Sequence, residues 1–112
     1  MTYIKINETL YPATISGRVQ DKDWDNRESK AITLEMDYPT AAALFVDGVA
    51  WSIVQREEVE TEKGKETVET VFDNSAYNLA GDITVHRDGT ITAKMGKLTD
   101  LEEAYEIMLG GM

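Results

Sequence analysis

The sequence predicts an α+β protein, mostly antiparallel β (a sandwich or partly open barrel), with a short inner helix and a C-terminal amphipathic helix. Three observations lead there. Short runs with apolar residues at alternate positions recur along the chain, separated by turn residues. An interior segment, Thr40-Ala41-Ala42-Ala43-Leu44-Phe45, is rich in the strongest helix former. The C-terminal segment places apolar residues at helical spacing behind a capping box. At 112 residues, positions 1–112 read as a single domain.

The elements follow in order. Tyr3-Ile4-Lys5-Ile6 and Leu10-Tyr11-Pro12-Ala13-Thr14-Ile15 flank the polar turn Asn7-Glu8-Thr9, a hairpin signal. Pro12 cannot donate to a ladder, so it belongs at an edge or a bulge. Ile15, Gly17 and Val19 carry the extended run to an acidic loop, Asp21-Lys22-Asp23-Trp24-Asp25-Asn26. Ala31-Ile32-Thr33-Leu34-Glu35-Met36 alternates next, with Ile32, Leu34 and Met36 on one face. Asp37-Tyr38-Pro39 breaks that strand. Pro39 is acceptable in the first turn of the short helix that follows; a strand is the alternative reading of that segment. Asp47-Gly48 ends it.

Val49, Trp51 and Ile53 open a long strand that turns polar after Gln55, and Trp51 reads as core. A turn at Lys63-Gly64 would pair Glu62 with Lys65 and Val59 with Val68. This hairpin should project from the body, because its far half is too polar to bury. In the last hairpin, a three-residue loop Arg87-Asp88-Gly89 pairs Val85 with Ile91 and Ile83 with Ala93, which unites the apolar residues on one face. A two-residue loop would split them. The three-residue loop requires positive φ at Gly89.

Thr99 caps the final helix, with Glu102 completing the box. Leu101, Ala104, Tyr105 and Met108 form one apolar stripe, expected to cover a sheet or an open end, and Gly110-Gly111 stops the helix. Such a helix could instead exchange between subunits, giving oligomerisation through the C-terminal helix.

Composition narrows function. Twenty-one acids against 11 bases give a net charge of −10, and the bases are scattered, which argues against nucleic acid as a partner. The acidity either serves solubility or offers an acidic face to a basic partner. With no cysteine there is no thiol nucleophile and no cysteine-based zinc site. No apolar run is long enough to span a membrane, and the N-terminus reads as a strand and not a signal peptide. The expected location is the cytoplasm, or a virion if an assembly carries the protein there.

Asp21, Asp23 and Asp25 match the first three ligand positions of a calcium loop. The match then fails, because Asn26 stands where the turn glycine belongs and Ile32 where the bidentate glutamate belongs. Trp24 sits among these charges, either folded back onto the core or anchoring a partner. Asp21, Asp23, Trp24 and Asp25 are therefore the candidate interaction residues. His86 is the only histidine, no serine sits on a nucleophile elbow, and no glycine-rich phosphate loop is present. No catalytic residue, metal site or cofactor is expected, and the protein reads as a non-enzyme.

Two segments, Tyr11–Asp25 and Leu44–Trp51, together with Asp88–Lys97, resemble small uncharacterised prophage-encoded proteins of Gram-positive (Firmicutes) gut bacteria. The resemblance implies a virion or phage-module role, as a tail or accessory component with a phage structural protein as partner. It transfers no functional residue. The alternative is a small ligand-binding domain holding a cation or carbohydrate at the loop 21–26.

Overall fold

The computed structural model describes residues 1–110. Eight strands form two four-stranded antiparallel sheets, accompanied by two short helices. The chain opens with β1 (Thr2–Ile6) and returns as β2 (Thr9–Pro12). Ile6 faces Thr9, so Asn7 and Glu8 make a two-residue turn with φ of 52° and 67°. Positive φ at both central positions matches the right-handed twist of the flanking strands. β2 lies at the edge of its sheet, where the missing N–H of Pro12 is harmless. The chain then crosses to the second sheet as β3 (Thr14–Asp21), so the extended run read from Leu10 to Val19 is two strands divided at Ala13.

β4 (Arg27–Glu35) pairs with β3 and leads into α1 (Tyr38–Leu44). The Asp37 side chain caps α1 by accepting from the Thr40 N–H at 2.9 Å, with Pro39 in the first turn as expected. β5 (Ser52–Thr61) and β6 (Gly64–Asp73) return the chain to the first sheet, and β7 (Leu79–Val85) and β8 (Thr90–Gly96) complete the second. The sheet orders are β2-β1-β5-β6 and β3-β4-β8-β7.

The core lies between the sheets. Ile4 and Ile6 from the first meet Ile32, Leu34, Ile91, Ala93 and Met95 from the second, with Ala41 and Phe45 closing one side. These are the inward residues of alternating strands, which is why a period of two was readable. Trp51 is buried here as expected, its indole N–H donating to the Tyr77 carbonyl at 2.9 Å. Tyr77 sits in the crossover between the sheets, and its hydroxyl donates to the Glu28 carboxylate.

Two registers test the sequence reading. In the β7–β8 hairpin Val85 faces Ile91, Ile83 faces Ala93, and Gly89 has φ 88°, as the shared apolar face demanded. In the β5–β6 hairpin the expected turn is corrected. Thr61 faces Gly64, so Glu62-Lys63 is the turn and Gly64 follows it at φ 113°. Val59 faces Glu66, and Val68 faces Glu57. This two-residue slip keeps every side chain on its face, so the apolar pattern had no power to exclude it.

The final helix, α2 (Asp100–Gly110), begins with the expected capping box: Glu102 N–H donates to Thr99 Oγ1 at 3.2 Å, and Thr99 N–H to Glu102 Oε1 at 2.9 Å. The expected burial of its stripe is overturned, because Leu101 is 82%, Tyr105 62% and Met108 69% exposed. The helix meets the body through its polar first turn, where Glu102 pairs with Arg27, and not through the stripe. Of the expected stop, Gly110 closes α2 and Gly111 lies outside the described residues.

Candidate functional site

The acidic loop joins β3 to β4 through a tight 3-10 turn, Lys22–Trp24. Asp21 caps that turn, its Oδ1 accepting from the Asp23 N–H at 3.1 Å. Asp25 and Asn26 both take φ 58°, a conformation that short polar side chains tolerate. The loop is thereby folded back over the outer face of the second sheet, the face away from the core.

Its acids part company there. Asp21 is fully buried, and its Oδ2 accepts from Lys94 Nζ at 2.7 Å and from Ser29 Oγ at 3.0 Å. The lysine ammonium holds its carboxyl below the usual carboxylate range, with Ser29 and the Asp23 amide assisting against the cost of burial. Asp23 and Asp25 point to solvent. Among the described residues no group of three or more His, Asp or Glu is placed to share a metal ion.

Trp24 is half-buried and joins neither alternative cleanly. Its indole lies on the outer face of the second sheet, across two glycines. A Cβ added at Gly81 would fall 2.8 Å from Trp24 Cη2, and one at Gly96 2.7 Å from Cζ3. Arg27 stacks over the ring with its guanidinium carbon 5.0 Å from the centroid. That guanidinium is itself buried. It makes a bidentate pair with Glu102, at 2.7 and 3.2 Å, and also donates to the Lys97 carbonyl at 3.2 Å. Arg27 and the Thr99 cap pull the Glu102 carboxyl down to about 2. The loop, sheet and final helix are thus tied together in sequence: Lys94–Asp21, Trp24 on Gly81 and Gly96, Arg27 on Trp24, and Glu102 on Arg27.

Sequence reasoning singled out Asp21, Asp23, Trp24 and Asp25 but missed Ser29, Lys94, Arg27, Glu102 and the glycine seat. Glu102 was read only as a cap. The available signal was Arg27, a cation two residues after the last of three acids that flank a tryptophan.

The second region is the β5–β6 hairpin. β6 is exposed along its whole length and forms the edge of the first sheet, pairing only with β5 among the described residues. The molecule measures 57 × 36 × 25 Å. Val59, Val68, Val71 and Phe72 are all 42–53% exposed. The base of the hairpin continues into an open groove of about 940 Å³ between the sheets, lined by Tyr11, Ile15, Leu34, Ile53 and Gln55 among others. The outer face of the second sheet carries His86, whose Nε2 lies 2.7 Å from Thr92 Oγ1; Thr92 in turn meets Thr33 Oγ1 at 2.8 Å. This is a cross-strand polar ladder.

No protein-family model matches the chain, and no curated protein or solved structure is significantly similar to it.

Proposed function

We propose that the protein is a non-enzymatic structural or protein-interaction component, working through β surfaces and the projecting β5–β6 hairpin. The observation that carries this reading is the hairpin itself: a ten-residue strand exposed at every position, with valines and a phenylalanine turned to solvent. Isolated exposed apolar residues are ordinary, but several on one projecting element suit a contact surface. The same proposal places the protein in a phage module, as a tail-associated or virion accessory part with a phage structural protein as partner.

The alternative, a cation- or carbohydrate-binding domain using the loop 21–26, has less to stand on. Lys94, Ser29 and the Asp23 amide already occupy the Asp21 carboxylate. Titration calorimetry with millimolar calcium separates the two, heat and a raised melting temperature favouring the alternative.

The main test is co-purification with the products of neighbouring genes. Replacing Glu58–Thr67 by an Asn-Gly turn keeps Glu57 opposite Val68 and removes the tip. A variant that melts like the parent but loses its partner supports the reading. Full retention of the partner refutes the role of the hairpin, and intact particle assembly after gene deletion refutes the structural role.

A further inference from the structure

We propose that the outer edge of β6 is a docking site for an extended, basic segment of a partner protein, which joins the first sheet as an added strand. This rests on the interaction reading above and specifies the place and the chemistry.

Two four-stranded sheets have four edges, and three of them are blunted. β2 is four residues long and ends in Pro12. β3 breaks register between Arg18 and Asp21, and β7 between Ala80 and Ile83. Short length, proline, bulges and edge charges are the usual means of preventing unwanted strand pairing. β6 has only the last, the mixed set Lys65, Glu66 and Glu69. It runs from Gly64 to Asp73 with unbroken register against β5 and no proline.

Its free hydrogen-bonding groups can be assigned. The Asn74 N–H continues the ladder to the Trp51 carbonyl at 2.9 Å, so even-numbered residues face β5. The odd-numbered ones, Lys65, Thr67, Glu69, Val71 and Asp73, direct N–H and C=O outward.

Charge chooses the occupant. Ser52–Asp73 holds seven acids against three bases, a net of −4. A second copy paired through β6 would set two such hairpins side by side, in a chain of net charge −10. A strand bearing Lys or Arg among apolar residues instead meets Glu66 and the net negative hairpin with opposite charge, and Val68, Val71 and Phe72 with apolar surface, while Glu69 stays paired with Arg56 at 2.7 Å. Main-chain bonds then supply affinity and the alternate side chains supply selectivity.

The test uses the full chain and three synthetic peptides: an eight-residue alternating Lys-Val peptide, the same peptide N-methylated at alternate residues along one edge, and its Glu-Val counterpart. The Lys-Val peptide is expected to bind and to slow amide exchange at Thr67, Glu69 and Val71. N-methylation keeps the charge but deletes the ladder, so binding should weaken on the order of 100-fold. The Glu-Val peptide should not bind. Equal binding of the methylated peptide, protection confined to other strands, no binding of the Lys-Val peptide, or sedimentation of the protein as a β6-paired dimer would overturn the proposal. Thr67→Pro, which removes one outward donor, adds a check on the natural partner. If the partner survives Thr67→Pro but is lost with the shortened hairpin, edge pairing fails and the interaction reading stands. If no partner is found at all, that reading fails while the peptides still decide the edge.

Discussion

The glycine seat of Trp24 makes a sign-reversing prediction. In the native protein, Gly81→Ala would bring a methyl 2.8 Å from Trp24 Cη2 and 2.9 Å from Cζ3, with Lys94 Cβ at 3.1 Å. The indole cannot yield freely, because Arg27 is stacked on it and Arg27 is held by Glu102. Overpacking of this kind costs about 1–3 kcal/mol. Gly81 does not use the left-handed region, so alanine is conformationally acceptable there. In a Trp24→Ala background the clash disappears, only the Lys94 contact must give by a few tenths of an ångström, and the reduced freedom of the unfolded chain should stabilise by about 0.4–1 kcal/mol. Trp24→Ala alone should cost roughly 2 kcal/mol, below the usual range for a buried tryptophan because the ring is only half-covered. The cycle therefore predicts a coupling of about 1.4–4 kcal/mol between positions 24 and 81. Urea titrations of the four proteins, followed by far-ultraviolet circular dichroism, measure it. An equal cost of Gly81→Ala in both backgrounds would refute the packing of Trp24 on this site.

Three further outcomes are expected. Glu102 has a carboxyl pulled to about 2 from an ordinary 4.5, so the stabilisation it gives is complete above about 4.5 and lost as pH falls toward 2; amide protection in α2, taken relative to the intrinsic exchange rate at each pH, should fall through that window, and Glu102→Gln should flatten the dependence. Burial, with the adjacent Glu28 carboxylate, pushes the Tyr77 hydroxyl up to about 12, so its neutral form stabilises the fold up to about pH 10, a contribution lost as pH rises toward 12; phenolate absorbance should show a late-titrating tyrosine that Tyr77→Phe removes. Ile32, fully buried at the centre of the core, should cost about 2–5 kcal/mol when replaced by alanine, read as a lower urea midpoint with unchanged slope.

Much of the fold was legible locally. Alternation in Ile32, Leu34, Ile91 and Ala93 identified inward faces, because a strand buried on one side repeats every second residue. The Arg87–Gly89 loop was legible because only one loop length brings both apolar rows to one face. The Glu62-Lys63 turn was not, because a slip of two leaves the faces unchanged. The stripe on α2 was read as buried because periodicity reports that apolar residues share a face, and nothing about what lies against it.

The loop 21–26 divides in the same way. Its sequence departs from the EF-hand calcium loop at two positions, since Asn26 and Ile32 stand where the turn glycine and the closing ligand belong. It did not reveal that Asp21 would be buried against Lys94, 73 residues away, or that Arg27 would join Glu102 across 75. Sequence by itself determined strand faces, the Arg87–Gly89 loop, the Thr99 cap and acidity, all set by interactions between near neighbours. Only the tertiary structure decided which edges are blunted, where the indole rests and which face of the last helix is bare. Those depend on pairings between segments remote in sequence, which local propensity does not encode.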